Sequence, residues 1–210
     1  MLREKAYERL KECLLAGKLK PGQLVSQKQL AKLVGCPVGP TREAIHKLAA
    51  ESLLQVVPQR GIVVSDLGLE FIRNVLQLRA MIEREAIGPF LATTPPEEIL
   101  ALKRAHEAII ARAKKGIDTA LMADAVELDW RLHDRIVTSL KNPLLEEIYR
   151  VNTNRIRVIR GKRGLLPERV VPVMKEHIAV LDAGLKNDPA AAAAALHKHL
   201  EEFRRWIVLI

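Results

Sequence analysis

The sequence predicts a mainly α-helical protein in two parts. Residues 1–66 form a winged helix-turn-helix with a small β-hairpin, and residues 67–210 form an antiparallel all-helical bundle of about six helices. Three observations carry this. The 210-residue chain is 49% apolar but only 3% aromatic, so its core is built from Leu, Ile, Val and Ala, a composition that favours helices. Two β-branched runs, in LLQVVPQRGIVVSD, flank the turn residues Pro58-Gln59-Arg60-Gly61 and read as a hairpin. Beyond Gly68, apolar residues recur every three or four positions in long segments separated by turn signals.

In the first part, Glu4 to Ala16 reads as an amphipathic helix stopped by Gly17 and the turn Lys20-Pro21-Gly22. A second helix starts in SQKQLAKLVG. Ser26 has Gln29 three residues on, the capping-box spacing, and Gly35 ends the helix. CPVGP is a short turn, followed by a third helix from Pro40 or Thr41 to Glu51. Helix, helix, tight turn, helix and hairpin is the layout in which the helix after the turn enters the DNA major groove. Arg42 lies near the start of that helix. Arg60 and Gly61, at the hairpin tip, are placed to touch the DNA backbone or minor groove. The net charge of +9 suits a polyanionic partner.

In the second part, the helices run from Leu69 to Leu91, Pro95 to Lys115, Asp118 to Leu140, Pro143 to Lys162, Pro167 to Lys186 and Pro189 to Val208. The turn signals between them are TTPP, KKG, KNP, GKRG and NDP. Asp188 before Pro189 supplies an N-cap and a proline at the first helical position.

Four ionisable residues occupy positions where helix core residues belong. Asp129 and His133 fall on the stripe Met122, Val126, Asp129, His133, Ile136, Leu140. His177 falls on Val170, Val173, His177, Val180, Leu181, and His199 on Leu196, His199, Phe203, Trp206. Residues three or four apart share one helix face, so these groups point inward. Burying a carboxylate and three imidazoles is costly unless they are paired, and a metal ion pairs all four. The donor set suits Zn, with Ni, Mn or Fe as alternatives. His197, two residues before His199, points about 200° away and lies outside the site.

Arg79 interrupts the stripe Ile72, Val75, Leu76, Arg79, Ile82, Ala86. A guanidinium facing a bundle interior implies either a bound carboxylate or phosphate, or an internal salt bridge to Glu83 one turn on. The helix from Pro143 carries Asn152 and Arg155, which are candidates to line the same pocket. Cys13 and Cys36 have neither metal spacing nor a disulfide framework, which fits a reducing compartment. No segment approaches a membrane span, and the start MLREKAYERL lacks the apolar core of a signal peptide, so the expected location is cytoplasmic.

Together these pieces resemble the GntR family of bacterial transcription regulators, in the subgroup with a FadR-type C-terminal (FCD) domain. LLAGKLKPGQL, LAKLVG, P-T-REAIHKLAAESLL and QRGIVV follow the family's DNA-binding signature in order. LRAMIEREA, then DWRLHDRI with KNPLL, KEHIAVLDAGLKND and LHKHLEEF resemble the helices of its second domain. The resemblance implies a homodimer that binds double-stranded operator DNA and whose helical domain senses a small molecule. By motif position the metal ligands are Asp129, His133, His177 and His199. Arg79 matches an arginine aimed at an effector carboxylate, and Lys28, Thr41, Arg42, Arg60 and Gly61 form the DNA-facing set. Cys36-Pro37-Val38-Gly39 and Gln27 depart from the family's usual polar and acidic residues there, which bears on the operator that is read.

The expected function is a ligand-responsive transcription regulator, a repressor, that binds a divalent metal and a small organic acid. The alternative is a metal-dependent hydrolase fused to a nucleic-acid module, since an open metal position activates water. No Glu or Asp beyond the ligands is evidently placed as its general base.

Overall fold

Helix α1 (Leu2–Leu15) turns Ala6, Tyr7, Leu10 and Leu14 inward, and this face packs on α3 (Val38–Ala50), which contributes Ala44, Ile45 and Leu48. Between them, α2 (Gln27–Val34) buries Leu30, Ala31 and Val34. The computed structural model describes residues 1–163 and 166–209. They fall into two compact units, one of Met1–Ile72 with Val151–Arg163, the other of Arg73–Arg150 with Gly164–Ile210.

The first unit is a winged helix-turn-helix. Its capping box is formed as the spacing requires. Ser26 Oγ accepts from the Gln29 amide at 3.2 Å, and Gln29 Oε1 accepts from the Ser26 amide at 2.8 Å. Gly35 closes α2 with φ 59°. Helix α3 starts at Val38, earlier than the turn residues CPVGP imply. The reason is local. Pro40 sits in the first turn, where its missing N–H costs nothing, and Thr41 Oγ1 donates back to the Pro37 carbonyl at 2.8 Å.

The hairpin strands β2 (Leu54–Val57) and β3 (Gly61–Val64) pair antiparallel. A strand absent from the sequence reading, β1 (Leu24–Val25), pairs with the other edge of β3, giving the order β1-β3-β2. Gly61 has φ +128°, and a Cβ there would lie 2.9 Å from the Val25 carbonyl oxygen. The wing therefore needs glycine to close against β1.

Helix α7 (Pro143–Arg163) was expected to lie wholly within the bundle. Its second half, Val151–Arg163, instead belongs to the first unit. There the buried Glu51 carboxylate accepts from Tyr7 Oη at 2.7 Å, and Asn154 Nδ2 donates to Tyr7 Oη at 3.1 Å. Arg155 Nε donates to the Glu51 carbonyl at 2.9 Å.

The second unit is an all-helical bundle. It holds most of α4 (Leu69–Thr93), with α5 (Pro96–Ala113), α6 (Thr119–Thr138), the first half of α7, α8 (Pro167–Leu185) and α9 (Pro189–Leu209). Asp118 and Asp188 cap α6 and α9, accepting from the Leu121 and Ala191 amides at 2.7 and 2.9 Å. Of the expected GKRG turn, residues 161–163 lie in α7, and Gly164 lies outside the described residues. No described helix is long and apolar enough to cross a membrane.

Among the described residues, the bundle core includes two apolar clusters. One gathers Ile82, Phe90, Leu102, Leu132, Ile136 and Leu196, and the other Ile109, Leu121, Leu128, Val170 and Met174. Along α5, α6 and α8, the buried polar residues His106, Asp129 and His177 fall between the residues of the first cluster and those of the second. Helix α8 packs on α5, α6 and α9, which brings these helices around that polar layer.

Candidate functional site

The polar layer is a cluster of four potential ligands. Asp129 and His133 come from successive turns of α6, His177 from α8 and His199 from α9. All four are buried, and one ligand atom from each lies within 4.8 Å of the others. His199 Nε2 is 3.2 Å from His133 Nε2 and 3.3 Å from His177 Nε2. Asp129 Oδ1 is 3.5 Å from His177 Nε2 and 3.8 Å from His133 Nε2.

Each imidazole turns its Nδ1 outward to a partner. His133 Nδ1 meets Glu83 Oε2 of α4 at 2.8 Å, and His199 Nδ1 meets Glu176 Oε2 of α8 at 2.8 Å. A carboxylate accepts, so both Nδ1 atoms carry a proton, and in the neutral form of each ring Nε2 presents a lone pair inward. His177 Nδ1 lies 3.1 Å from His106 Nε2. Burial pushes the pKa values of His106, His177 and His199 below the ordinary histidine range, and for His177 the neighbouring His199 and His133 add to the fall. Neutral imidazole is the form that binds metal.

In those neutral tautomers two such nitrogens 3.2 Å apart have no proton to share. A cation that accepts all the lone pairs resolves this. With Zn–N bonds of about 2.0–2.1 Å, ligand atoms of a tetrahedral shell lie about 3.4 Å apart. Four of the six separations, from 3.2 to 3.8 Å, are on that scale, and all six lie within 4.8 Å. Nitrogen and carboxylate donors suit Zn, Ni, Mn or Fe.

Arg79 lies beside this centre and is only 1% exposed. Its Nε donates to Glu83 Oε1 at 2.7 Å, and Tyr149 Oη of α7 donates to the same oxygen at 2.6 Å. Burial alone raises the Glu83 pKa, but Arg79, then His133, with the hydrogen bonds from His133 and Tyr149, outweigh it and hold the carboxyl at about 2. Burial also disfavours the Arg79 cation, but Glu83 more than offsets this and keeps it protonated. The guanidinium carbon sits 5.1 Å from the Phe203 ring centre and 5.6 Å from that of Trp130. Arg79 Nη2 is buried without a hydrogen-bond partner among the described residues. A groove of about 390 Å³ between α4 and α9 reaches Arg79 and is lined also by Arg73, Met81, Arg84, His197 and Phe203. The two readings of Arg79 therefore coexist, as a salt bridge through Nε and an unsatisfied donor at Nη2.

The remaining candidates separate. His197 is exposed and outside the cluster. Asn152 is buried and belongs to the first unit. Arg155, read as a pocket residue, is engaged in the first unit with Glu51 and lies 5.9 Å from the Phe71 ring centre. Lys28, Arg42 and Arg60 are exposed, and Gly61 is half-buried. Thr41 leaves the DNA-facing set, because its side chain is fully buried and its hydroxyl is used within α3.

Glu176 and His106 escaped the sequence reading, as did the roles of Tyr149 and of Glu83 toward His133. For His106 the signal was present, since Ile99, Leu102, His106 and Ile109 form the same kind of interrupted stripe. The spacing of Glu83 from Arg79 pointed to their ion pair, but its contact with His133, and that of Glu176 with His199, are legible only from the side chains they face.

Comparison with known proteins agrees with this architecture. The description "Bacterial regulatory proteins, gntR family" matches residues 2–64, and the FCD domain matches residues 74–202. The HTH-type transcriptional repressor RspR of Escherichia coli (strain K12) is 27% identical over 195 residues, covering 90% of this chain and 80% of that protein. The solved structure of E. coli McbR/YncC superposes with a TM-score of 0.76 at 20% identity, covering 100% of this chain and 98% of the other. A metal-free FCD domain superposes with a TM-score of 0.55 at 20% identity, covering 69% of this chain and 96% of that one. The proteins matched by sequence are named as regulators, so the hydrolase alternative is set aside. The two matches fall on the winged helix-turn-helix and on the helical bundle, and the chain belongs to the gntR family of bacterial regulatory proteins, as a transcriptional regulator with an FCD domain.

Proposed function

We propose that this regulator is a metal-dependent sensor of a small organic acid, that it acts as a homodimeric repressor on double-stranded operator DNA in the cytoplasm, and that residues 1–66 read DNA while residues 67–210 read the effector. The observation that carries the sensing part is the buried Arg79 Nη2, without a hydrogen-bond partner among the described residues, in the same unit as a cluster of four potential ligand atoms. Asp129, His133, His177 and His199 would hold the divalent ion, Zn or else Ni, Mn or Fe. When bound, the ion would act as a Lewis acid toward a carboxylate oxygen, provided it accepts a ligand beyond these four. Arg79, whose planar fork suits a carboxylate, would donate to the same anion. Glu83 holds Arg79 in place through Nε, which leaves the far edge of the guanidinium to the anion. Arg79 also lines the groove between α4 and α9, which we propose as the anion's approach.

On the DNA side, Arg42 at the start of α3 is the base-reading candidate, with Lys28 and Arg60 at phosphates. The repressor reading rests on RspR, which is named a repressor.

A thermal-shift screen of mono- and dicarboxylates on Zn-loaded protein tests the sensor. A binding acid stabilises in proportion to saturation, by about 2.7 kcal/mol at a hundred times its Kd. Arg79→Ala removes most of that response while keeping the metal, and Arg79→Lys restores only part. A screen in which only neutral or cationic compounds stabilise, or in which Arg79→Ala responds as the parent does, defeats the proposal.

A further inference from the structure

We infer that His106 is a positioning residue for the metal centre: it fixes His177 in its Nδ1–H tautomer and so keeps the His177 Nε2 lone pair aimed at Asp129, His133 and His199. The inference rests on the metal reading above for its purpose, but not for its geometry.

The geometry is a one-way chain of hydrogen bonds. His106 Nδ1 lies 2.8 Å from the Leu102 carbonyl oxygen, one turn back on α5. A carbonyl only accepts, so Nδ1 carries the proton of His106. His106 is fully buried, and its two ring nitrogens meet the Leu102 carbonyl and His177, so one proton satisfies the ring as the neutral Nδ1–H form. Its Nε2 is therefore a bare acceptor. That nitrogen lies 3.1 Å from His177 Nδ1, and the rings meet edge to face, with centres 5.1 Å apart and planes at 82°. The donor in this contact must be His177 Nδ1–H. His177 then has no proton on Nε2, which faces His199 Nε2 at 3.3 Å and Asp129 Oδ1 at 3.5 Å.

All three inward imidazoles thus reach the same tautomer, but by different means. His133 and His199 are set by the carboxylates of Glu83 and Glu176. Each of those acids has its own cation, Arg79 at 2.7 Å and Arg169 at 3.1 Å. At His177 Nδ1 the partner among the described residues is no acid but a neutral imidazole, which takes the acceptor role. A third carboxylate there would need a further cation, whereas His106 sets the tautomer without adding charge.

The test uses the full-length chain with ¹⁵N-labelled histidine, in Zn-free and Zn-loaded forms. Long-range ¹H–¹⁵N spectra read the tautomer of each ring directly. In Zn-free parent protein, His177 is expected as the Nδ1–H form. An Nε2–H form in the parent overturns the inference without any variant. His106→Leu fills the space but cannot accept, so His177 should become a tautomer mixture and Zn affinity should fall roughly 10- to 100-fold, the usual effect of losing such a partner. His106→Gln offers an amide oxygen to His177 and an amide N–H to Leu102, and should restore both the tautomer and most of the affinity. His106→Leu with an unchanged His177 tautomer overturns the proposal. So does a Gln variant no better than Leu in both readouts, which would leave only a packing role. If His106→Leu does not fold, the parent spectrum and the Gln variant still decide. If the parent takes up no Zn, the metal reading fails, while the tautomer in Zn-free protein still tests His106 separately.

Discussion

Arg79 and Glu83, one turn apart on α4, form an ion pair of 2.7 Å with both side chains sealed from solvent. The pair does more than neutralise itself. Glu83 Oε1 takes Arg79 and Tyr149, while Oε2 takes His133 Nδ1. One carboxylate therefore orients both the proposed anion-binding guanidinium and one proposed metal ligand.

Glu83→Gln should accordingly be among the most damaging conservative changes in the bundle. It leaves the Arg79 cation buried without its counter-charge, a loss of about 3–5 kcal/mol where one partner of a buried pair is removed. Chemical denaturation of the metal-free protein measures it. A loss below about 1 kcal/mol would mean that water or a neighbour replaces the carboxylate.

At the DNA surface, Arg42→Ala should weaken operator binding by about 1–3 kcal/mol, if Arg42 reads a base, without unfolding the protein, because Arg42 is exposed. Thr41→Val should do little to DNA affinity, because Thr41 faces inward and its hydroxyl serves only Pro37. Fluorescence anisotropy with an operator duplex separates the two. Equal losses at both positions would place the recognition helix in a different rotation on the groove.

Acid should remove one surface contribution selectively. Arg135 Nε and Nη2 donate to the two oxygens of Glu98 at 2.6 and 3.2 Å. This hydrogen bonding lowers the Glu98 pKa, against a small opposing effect of burial. A lowered carboxyl pKa adds stability above the ordinary value of about 4.3 and loses it as pH falls through the folded-state value. Both groups are partly exposed, so solvent screening limits the gain to about 0.2–1 kcal/mol. Arg135→Met keeps much of the stem. Its deficit against the parent at pH 7 should close as pH falls below the ordinary Glu range. A deficit constant with pH would assign Arg135's role to packing against Phe90, whose ring centre lies 5.7 Å away.

Local rules made much of the fold legible. The Ser26/Gln29 box, the Gly35 stop, the Asp188-Pro189 start and the apolar periods of the bundle each act within a few residues, and each appears where the sequence puts it. Strand β1 was not legible, because two residues have no period of their own and Leu24–Val25 exist as a strand only through β3. The start of α3 was misread because a proline in the first turn resembles a proline in a loop. At the site, the stripe rule found the four residues that the fold brings together, because an ionisable group on an apolar face must point inward. It was blind to the contacts of Glu83 with His133 and of Glu176 with His199, which are identified by the side chains that touch. It could not decide the facing of Asn152 and Arg155, since α7 leaves one compact unit and enters the other between Arg150 and Val151.

The most direct test of the sensor account is the metal content of the purified full-length protein and its single variants after Zn reconstitution and desalting. The parent should retain about one ion per chain, and Asp129→Ala, His133→Ala, His177→Ala and His199→Ala should each lose most of it. His197→Ala, two residues from a proposed ligand but exposed to solvent, should retain it in full. A parent that holds no metal, or a His199→Ala variant that holds as much as His197→Ala, would contradict the account.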